Sequence, residues 1–409
     1  MISRRALLET ILRAAPVAGG AALAASVPQW LEAAVAPEGP SLQDLARTAP
    51  RARYWTTFGL AGGDCSKCHD PAAKIEASGK PHTHAATTVR CLLCAQSCTI
   101  KAGDRGRCRA RLNVNGELRS LVYGRPLAIH VDPIEKKPFY HFLPGSDAFS
   151  LGTAGCPLRC KFCQNWTLSQ AAPEDNDTPF AAPAAIVQAA TSNKSPIIAF
   201  TYNEPTVFTE YLVDTAREAK TRGFRSVMVS CGFANEAPLA EMCQALDAIK
   251  IDLKGFSEDF YRKVSNAELK PVLRSIKQVA HSKAHLEIVN LVVPTLNDDK
   301  ASIQGLVDWV AGELGADVPV HFTRFHPDYQ LLNLPPTPIA TLERARDAAM
   351  AKGLHYAYVG NVPDHPGNHT YCPKCGKIVI KRSGFFVDQL NLRNGACAFC
   401  GQKIAGVFV

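Results

Sequence analysis

The sharpest chemical signal in the sequence is a Cys-x-x-x-Cys-x-x-Cys loop formed by Cys156, Cys160 and Cys163. Three thiolates on so short a loop can bind three irons of a [4Fe–4S] cluster, and the lack of a fourth local cysteine leaves one iron open to a cosubstrate. A zinc knuckle that borrows a fourth ligand is the alternative. The spacing favours the cluster, with these three cysteines as catalytic ligands.

Two further groups of cysteines flank this loop. Four thiolates close a tetrahedral site, so metal is preferred over disulfides in both groups. The first group is interpreted as a structural zinc site or an auxiliary iron–sulfur cluster, and it consists of Cys91, Cys94, Cys98 and Cys108. The second is interpreted as a zinc ribbon, with a rubredoxin-like iron site as the alternative, and it consists of Cys372, Cys375, Cys397 and Cys400.

A third pattern lies closer to the N-terminus, where Cys65, Cys68 and His69 form Cys-x-x-Cys-His. This is the attachment pattern of c-type haem, with two thioether bonds and His69 as the proximal ligand. His82 or His84 could supply the sixth ligand. Such a pair also binds zinc or stays empty, so the haem is a hypothesis that depends on where the protein is located.

The N-terminus carries the sequence Ser3-Arg4-Arg5 before a stretch of small apolar residues. This pattern predicts a twin-arginine export signal and a linker over residues 1–48, and hence an exported, periplasmic protein. Export of a folded protein would suit an enzyme whose metal centre is built first. A cytoplasmic protein with an amphipathic N-terminal helix is the alternative.

The composition limits the other function classes. The chain has 409 residues, of which 46% are apolar and 20% charged, with a formal charge of +8. This length suggests two to three domains. We expect no stable membrane span in the mature chain, because no stretch is apolar for long enough. We expect no nucleic-acid binding either, because basic and aromatic residues do not alternate along the chain.

Apolar runs alternate with helical patterns in the central region, which predicts parallel strands joined by helical crossovers. The predicted strands are 149–153, 197–201, 226–230, 248–252, 286–293 and 320–325, and two of the predicted helices are 208–219 and 303–314. Six such units are fewer than the eight of a closed barrel. The predicted fold is therefore α/β, an incomplete (β/α)6 barrel over 146–364, flanked by a Cys-rich domain over 49–145 and a zinc-ribbon-like module over 365–409.

Several stretches resemble the radical S-adenosylmethionine (SAM) superfamily, and in particular the radical SAM enzymes of the AmmeMemoRadiSam system, which are relatives of the pyruvate formate-lyase activating enzymes. The central loop matches the superfamily signature because an aromatic residue, Phe162, precedes its third cysteine. The other resembling stretches are CLLC at 91–94, VDPIEKKP at 131–138, FLPGS at 142–146, CQNW at 163–166, TYNEP at 201–205, DLKG at 252–255, RFHP at 324–327 and GNVP at 360–363.

The resemblance implies a radical SAM barrel in which a [4Fe–4S] cluster reductively cleaves SAM to a 5′-deoxyadenosyl radical. It also implies SAM-contacting residues at successive strand ends, where a barrel places its active site. Tyr202 and Asn203 stand where the family's Gly-Gly-Glu-Pro motif has two glycines, so Glu204 carries that assignment with Asn203 in support. The implied SAM site consists of Phe162, Asn203, Glu204, Ser230, Asp252, Lys254 and His326.

The predicted function is thus a radical SAM enzyme, an activating-enzyme-like oxidoreductase that abstracts hydrogen from a protein or a small molecule. Its partners would be a one-electron reductant and, by the resemblance, a protein substrate or Memo-like and AMMECR-like proteins. The competing hypothesis is an exported electron-transfer protein with haem c and an iron–sulfur cluster. Conversion of SAM to 5′-deoxyadenosine discriminates between them.

Replacing both Arg4 and Arg5 by Lys tests the export and haem hypotheses together. The substitution keeps the charge but removes the guanidinium pair that the export receptor reads, so export should be lost, and with it haem attachment, which follows export. Haem-stained gels and mass spectrometry of the 65–69 peptide are the measurements. An unmodified peptide from correctly exported protein would favour a zinc or empty thiol site instead.

Overall fold

The computed structural model describes residues 39–57 and 86–409. The twin-arginine motif and the cysteines and histidine of the haem hypothesis, Cys65, Cys68 and His69, lie outside these residues. Within the described part of the chain, no helix combines the length and apolarity needed to cross a membrane.

The N-terminal module consists of one short helix and small antiparallel sheets. Helix α1 (Leu42–Thr48) begins after Ser41, whose hydroxyl accepts a hydrogen bond from the Asp44 backbone N–H at 3.2 Å. The strands of the first sheet are β1 (Trp55–Thr57), β2 (Val89–Cys91) and β3 (Thr99–Ile100), and those of the hairpin are β4 (Arg111–Val114) and β5 (Glu117–Ser120). The hairpin turns at the Asn115-Gly116 pair, where both residues have positive φ.

The central sheet has eight strands among the described residues. They are β6 (Ala128–Pro133), β7 (Asp147–Gly152), β8 (Ile197–Phe200), β9 (Arg225–Ser230), β10 (Ala248–Asp252), β11 (His285–Val292), β12 (Val320–Arg324) and β13 (Ala357–Gly360). Strands β7 to β13 are parallel and follow one another in chain order, with β6 and β13 at the two ends of the sheet. The predicted fold class, an open parallel α/β barrel, is confirmed.

The sheet extends beyond the six predicted strands at both edges. Strand β13 adds a parallel strand after β12, and β6 pairs antiparallel with β7. Neither has the long apolar run by which the other strands were predicted: β13 has four residues, and polar residues interrupt β6. Because β6 belongs to the sheet, the barrel begins before the predicted boundary at residue 146.

Helices cover the sheet and explain its apolar strands, since parallel strands buried on both faces consist of nearly continuous apolar residues. All four residues of β8, for example, are buried. The helices after α1 are α2 (Trp166–Ser169), α3 (Pro183–Ser192), α4 (Thr209–Thr221), α5 (Glu236–Ala245), α6 (Glu258–Phe260), α7 (Leu269–Ala280), α8 (Lys300–Glu313) and α9 (Ile339–Ala351). The two helices predicted at 208–219 and 303–314 correspond to α4 and α8.

The C-terminal module is a set of short antiparallel strands. They are β14 (Thr370–Tyr371), β15 (Ile378–Ser383), β16 (Phe386–Leu390), β17 (Leu392–Arg393) and β18 (Ala396–Cys397). Buried Arg382 attaches the module to the barrel, because its guanidinium donates to the Tyr140 carbonyl at 2.7 Å and lies 4.0 Å from the centroid of the Tyr140 ring.

A buried ion pair attaches the N-terminal module to the barrel. The guanidinium of Arg111, on β4, donates to both carboxylate oxygens of Glu210, on α4, at 2.7 and 2.6 Å. Both side chains are almost fully buried. Two parallel hydrogen bonds of this kind fix the orientation of the two side chains and also stabilise the pair. The pair therefore sets the position of the N-terminal cysteines relative to the barrel.

Glu210→Gln should therefore destabilise the protein strongly. It leaves the Arg111 guanidinium buried without a counter-charge, which typically costs about 3–5 kcal/mol, so the midpoint of urea unfolding should fall. The control is Asp259→Asn, which neutralises an exposed partner of Arg262 and should move the midpoint little. Equal midpoints for the two variants would show that the buried pair does not hold the modules together.

Candidate active site

The cysteine loop follows β7 and lies at the carboxyl ends of the parallel strands. Cys156, Cys160 and Cys163 line a cavity of about 450 Å³. Backbone hydrogen bonds fix the loop to the segment after α6, from the N–H of Arg159 to the carbonyl of Ser265 and from that of Lys161 to Val264, both at 3.0 Å. The thiols are thus held at the cavity wall by rigid backbone.

Gly155 begins the loop in a conformation that requires glycine. Its φ is 93°, in the region that side chains disfavour. A Cβ atom there would lie 2.2 Å from the carbonyl oxygen of Cys108. The central loop is therefore packed directly against the N-terminal cysteine segment.

Asn203 fixes the start of the loop from the neighbouring strand end. Its side-chain amide donates to the Gly155 carbonyl at 2.8 Å and to the Thr153 hydroxyl at 3.1 Å, and its carbonyl accepts from the Thr153 N–H at 3.2 Å. These bonds give Asn203 a positioning role on the wall of the same cavity.

Glu204 joins the ends of β8 and β9. Its Oε1 accepts hydrogen bonds from the hydroxyls of Thr206 at 2.6 Å and Ser230 at 2.7 Å, and its Oε2 accepts from the Cys231 N–H at 2.7 Å. The side chain is buried but lines the cavity. Ser230, also predicted, is thus a direct partner of Glu204, and the carboxylate is held in one orientation.

Asp252 and Lys254 lie at the end of β10, and Lys250 joins them. Asp252 contacts the ammonium of Lys250 and accepts from that of Lys254 at 3.1 Å. Burial raises the pKa of Asp252, but the two ammonium groups lower it to about 2. Lys254 also lies 5.6 Å from the centroid of the Phe162 ring, so Phe162 sits beside this group of charges on the cavity wall.

Tyr261 is fully buried, although the charged residues around it give the segment the pattern of a solvated helix face. Its hydroxyl accepts a hydrogen bond from the Lys254 N–H at 3.0 Å. Asp259 and Arg262, by contrast, are exposed. The difference arises because the chain continues from α6 as a π-helical turn over Tyr261–Ser265, which points this ring inward.

A second group of polar residues at the cavity wall was not predicted from the sequence. The ammonium of Lys137 donates to Asp132 at 2.7 Å and lies 4.6 Å from the centroid of the Tyr202 ring. Tyr202 has a φ of 74°, where the resembling motif has glycine, and its hydroxyl donates to Asp132 at 3.1 Å. Asp132 and Lys137 thus hold Tyr202 in a strained conformation at the cavity. The VDPIEKKP stretch was the only signal that could have found this group.

Two further wall residues come from distant parts of the chain. Phe385, from the turn between β15 and β16, lines the cavity together with Asn361 after β13. Predicted His326, by contrast, is exposed and is not among the residues of the wall. The structure therefore brings together the predicted residues Phe162, Asn203, Glu204, Ser230, Asp252 and Lys254, but it leaves His326 outside.

The donor set of the loop fits a site-differentiated cluster. Among the described residues, the cavity wall contains one cysteine besides the three of the loop. This residue is Cys231, which belongs to the segment that binds Glu204. Burial raises the pKa of the Cys156 thiol well above its usual value, so a bound metal must displace its proton. Cys156, Cys160 and Cys163 would hold three irons of the cluster, and the fourth iron would have no ligand from this loop.

The C-terminal cysteines form a compact metal-binding group. The Sγ atoms of Cys372, Cys375, Cys397 and Cys400 all lie within 4.8 Å of one another. The Cys372–Cys400 and Cys375–Cys397 sulfur pairs are 3.5 and 3.8 Å apart. This group can hold a single ion, and zinc at this site stays a prediction.

Comparisons with known proteins agree with this geometry. The model of the Radical SAM superfamily matches residues 150–305. A protein of Methanocaldococcus jannaschii, described as uncharacterised, is 44% identical over 318 residues, which cover 77% of this chain and 95% of the relative.

Parts of the chain are structurally similar to two solved structures. A domain of pyruvate-formate lyase-activating enzyme from Bacteroides vulgatus has 17% identity and a TM-score of 0.36, and the overlap covers 40% of this chain and 98% of that one. A radical SAM methyltransferase from Sphaerobacter thermophilus has 14% identity and a TM-score of 0.42, over 53% and 67% of the two chains.

Glu204→Gln should weaken SAM binding by about ten- to hundredfold, because a charge-assisted hydrogen bond to the SAM ammonium contributes roughly 1.5–3 kcal/mol. Anaerobic titration of the cluster-loaded protein measures the affinity. Asp259→Asn is the control, since it removes an exposed carboxylate outside the cavity wall. An equal effect of the two substitutions would remove Glu204 from the SAM site.

Proposed function

The chain belongs to the radical SAM superfamily, and we propose that it reductively cleaves SAM and abstracts a hydrogen atom from a protein or small-molecule substrate. The observation that carries the proposal is the cavity itself. It is lined by Cys156, Cys160 and Cys163 and also by Glu204 and Asp252. One small space thus combines ligands for an open cluster with carboxylates for an ammonium group.

Membership of the superfamily implies a [4Fe–4S] cluster and SAM. When bound and reduced, the cluster supplies the electron that cleaves the SAM sulfonium into methionine and a 5′-deoxyadenosyl radical. The protein provides binding, orientation and exclusion of water.

The proposed roles of the chain's own residues follow from their contacts. Glu204, fixed by Ser230 and the backbone of Cys231, presents its carboxylate to the SAM ammonium. The Lys254 ammonium, fixed by Asp252, offers a positive charge to the SAM carboxylate or ribose. Phe162 supplies an apolar surface beside Lys254 for the adenine.

The substrate side of the cavity favours an activase-like role with a protein as hydrogen donor. Phe385 lines the cavity and is 39% exposed, so it connects the cavity wall with the protein surface. An exposed aromatic residue at the mouth of a cavity is a feature of protein contact sites. The resembling family suggests Memo-like and AMMECR-like partners, and an external one-electron reductant completes the reaction.

Protein reconstituted with iron and sulfide and then reduced should convert SAM to 5′-deoxyadenosine and methionine, measured by chromatography and mass spectrometry. Replacing Cys156, Cys160 and Cys163 by Ala should abolish this conversion and the SAM-dependent change in the EPR spectrum. Both effects arise because the open iron that binds SAM is lost.

The matched control is Cys372→Ala/Cys375→Ala, which removes thiols outside the cavity and should leave the SAM-dependent EPR change in place. A SAM-dependent signal that survives the triple substitution would overturn the assignment of the loop. A wild-type protein that takes up electrons but never consumes SAM would favour the electron-transfer hypothesis.

A further inference from the structure

The N-terminal cysteines converge on one site. The N–H of Cys91, on β2, donates to the carbonyl of Cys98 at 2.9 Å. Cys91, Cys94 and Cys108 are buried, and Cys98 is half-buried. Cys98 packs against the apolar cluster that contains Cys91 and Ile100. A Cβ atom at Gly106 would lie 3.4 Å from the Ile100 side chain and 3.8 Å from the Sγ of Cys108, so Cys108 lies beside the same cluster.

The sulfur spacing at this site differs from that of the C-terminal module. A single zinc ion with Zn–S bonds of about 2.3 Å holds its four sulfurs about 3.8 Å apart, as in the C-terminal group. Among the residues that the structure describes, the C-terminal group is the one set in which three or more such ligand atoms lie within 4.8 Å of one another. Among the N-terminal thiols, therefore, no three lie within 4.8 Å of one another, as the ligands of a single ion would.

The three thiols of the central loop likewise do not all lie within 4.8 Å of one another, although these cysteines line one cavity. In a [4Fe–4S] cluster each thiolate binds a different iron, so the sulfurs lie farther apart than they do around one ion. The wide spacing is therefore shared by the site whose family implies a cluster and by the N-terminal site, whereas the ribbon has the narrow spacing of a single ion.

We propose that Cys91, Cys94, Cys98 and Cys108 bind a second [4Fe–4S] cluster, with all four irons ligated, rather than a structural zinc ion. Four thiolates supply one ligand to each of the four irons, so no iron at this site would be left open, in contrast to the central loop.

The two cluster sites are in direct contact through residues adjacent to their ligands. The Arg159 guanidinium donates to the carbonyl of Cys156 at 2.7 Å and to that of Arg107, the residue before Cys108, at 2.6 Å. The Cys108 carbonyl packs against Gly155, as described above. The side chain of Gln96, between two N-terminal ligands, donates to the Pro157 carbonyl at 3.1 Å.

This contact makes the second cluster an electron relay. An external one-electron reductant, such as a low-potential iron–sulfur protein, is oxidised by one electron and reduces the second cluster. That cluster then returns to its oxidised state by passing the same electron to the central one. The relay rests on the proposed function, whereas the presence of the second cluster does not.

Metal analysis of the full chain tests the second cluster. The protein is produced in the cytoplasm without cytochrome c maturation and reconstituted anaerobically with iron, sulfide and zinc present. The decisive variant replaces Cys156, Cys160 and Cys163 by Ala and leaves the N-terminal site intact. It should retain about four irons and four sulfides per chain, with a reduced EPR signal that SAM does not change.

Two further variants assign that iron to its ligands. Cys91→Ala/Cys94→Ala should lose about four irons relative to wild type and keep its zinc, whereas Cys372→Ala/Cys375→Ala should lose zinc and keep its iron. A folded triple variant that contains zinc at the N-terminal site and no iron overturns the second cluster. That outcome is independent of SAM cleavage by the wild type, which tests the proposed function.

The relay is tested by comparing electron donors on Cys91→Ala/Cys94→Ala. Reduction of the central cluster by a reduced iron–sulfur protein should slow markedly relative to wild type, while reduction by a small photochemical donor that reaches the cavity should not. Circular dichroism checks that the variant is folded. Equal slowing with both donors, or none with either, would overturn the relay.

Discussion

A carboxylate can leave water only when hydrogen-bond donors or cations replace its hydration, and this requirement organises the protein. Glu210 satisfies it with Arg111 and so attaches the N-terminal module to the barrel. Glu204 satisfies it with donors from two strand ends, and Asp252 with two lysines. Each buried carboxylate therefore fixes neighbouring elements relative to the cavity, and the cysteine loop lies where these fixed elements meet.

Much of the site could be predicted because its signals are local in sequence. The spacing of Cys156, Cys160 and Cys163 restricts the chemistry without reference to the rest of the chain. Glu204, Asp252 and Lys254 follow apolar strands, and parallel strands bring their carboxyl ends to one edge. The structure places these residues around one cavity. The parallel strands that carry these residues could be predicted because their signal is also local: strands buried on both faces are continuous apolar runs.

The features of the site that could not be predicted depend on contacts between distant segments. A single sequence does not encode such contacts in a local pattern. Lys137 reaches the cavity only because β6 pairs antiparallel with β7. Tyr261 is buried by one π-helical turn within an otherwise charged segment. Tyr202 keeps a backbone conformation typical of glycine because Asp132 and Lys137 hold its ring. His326 follows β12 as expected, but its side chain is exposed, because the end of a strand does not by itself decide where a loop residue points.

The cavity wall contributed by Phe385 has an evolutionary consequence. The residue belongs to the turn of a hairpin that packs around Cys372, on a cluster to which the barrel contributes Tyr358. Length and sequence changes in the hairpin tip would therefore reshape the mouth of the cavity while the cysteine loop and the carboxylates stayed in place. Under the proposed function, substrate preference would thus be encoded in a different segment from the cluster ligands, so descent could change the first while it preserves the second.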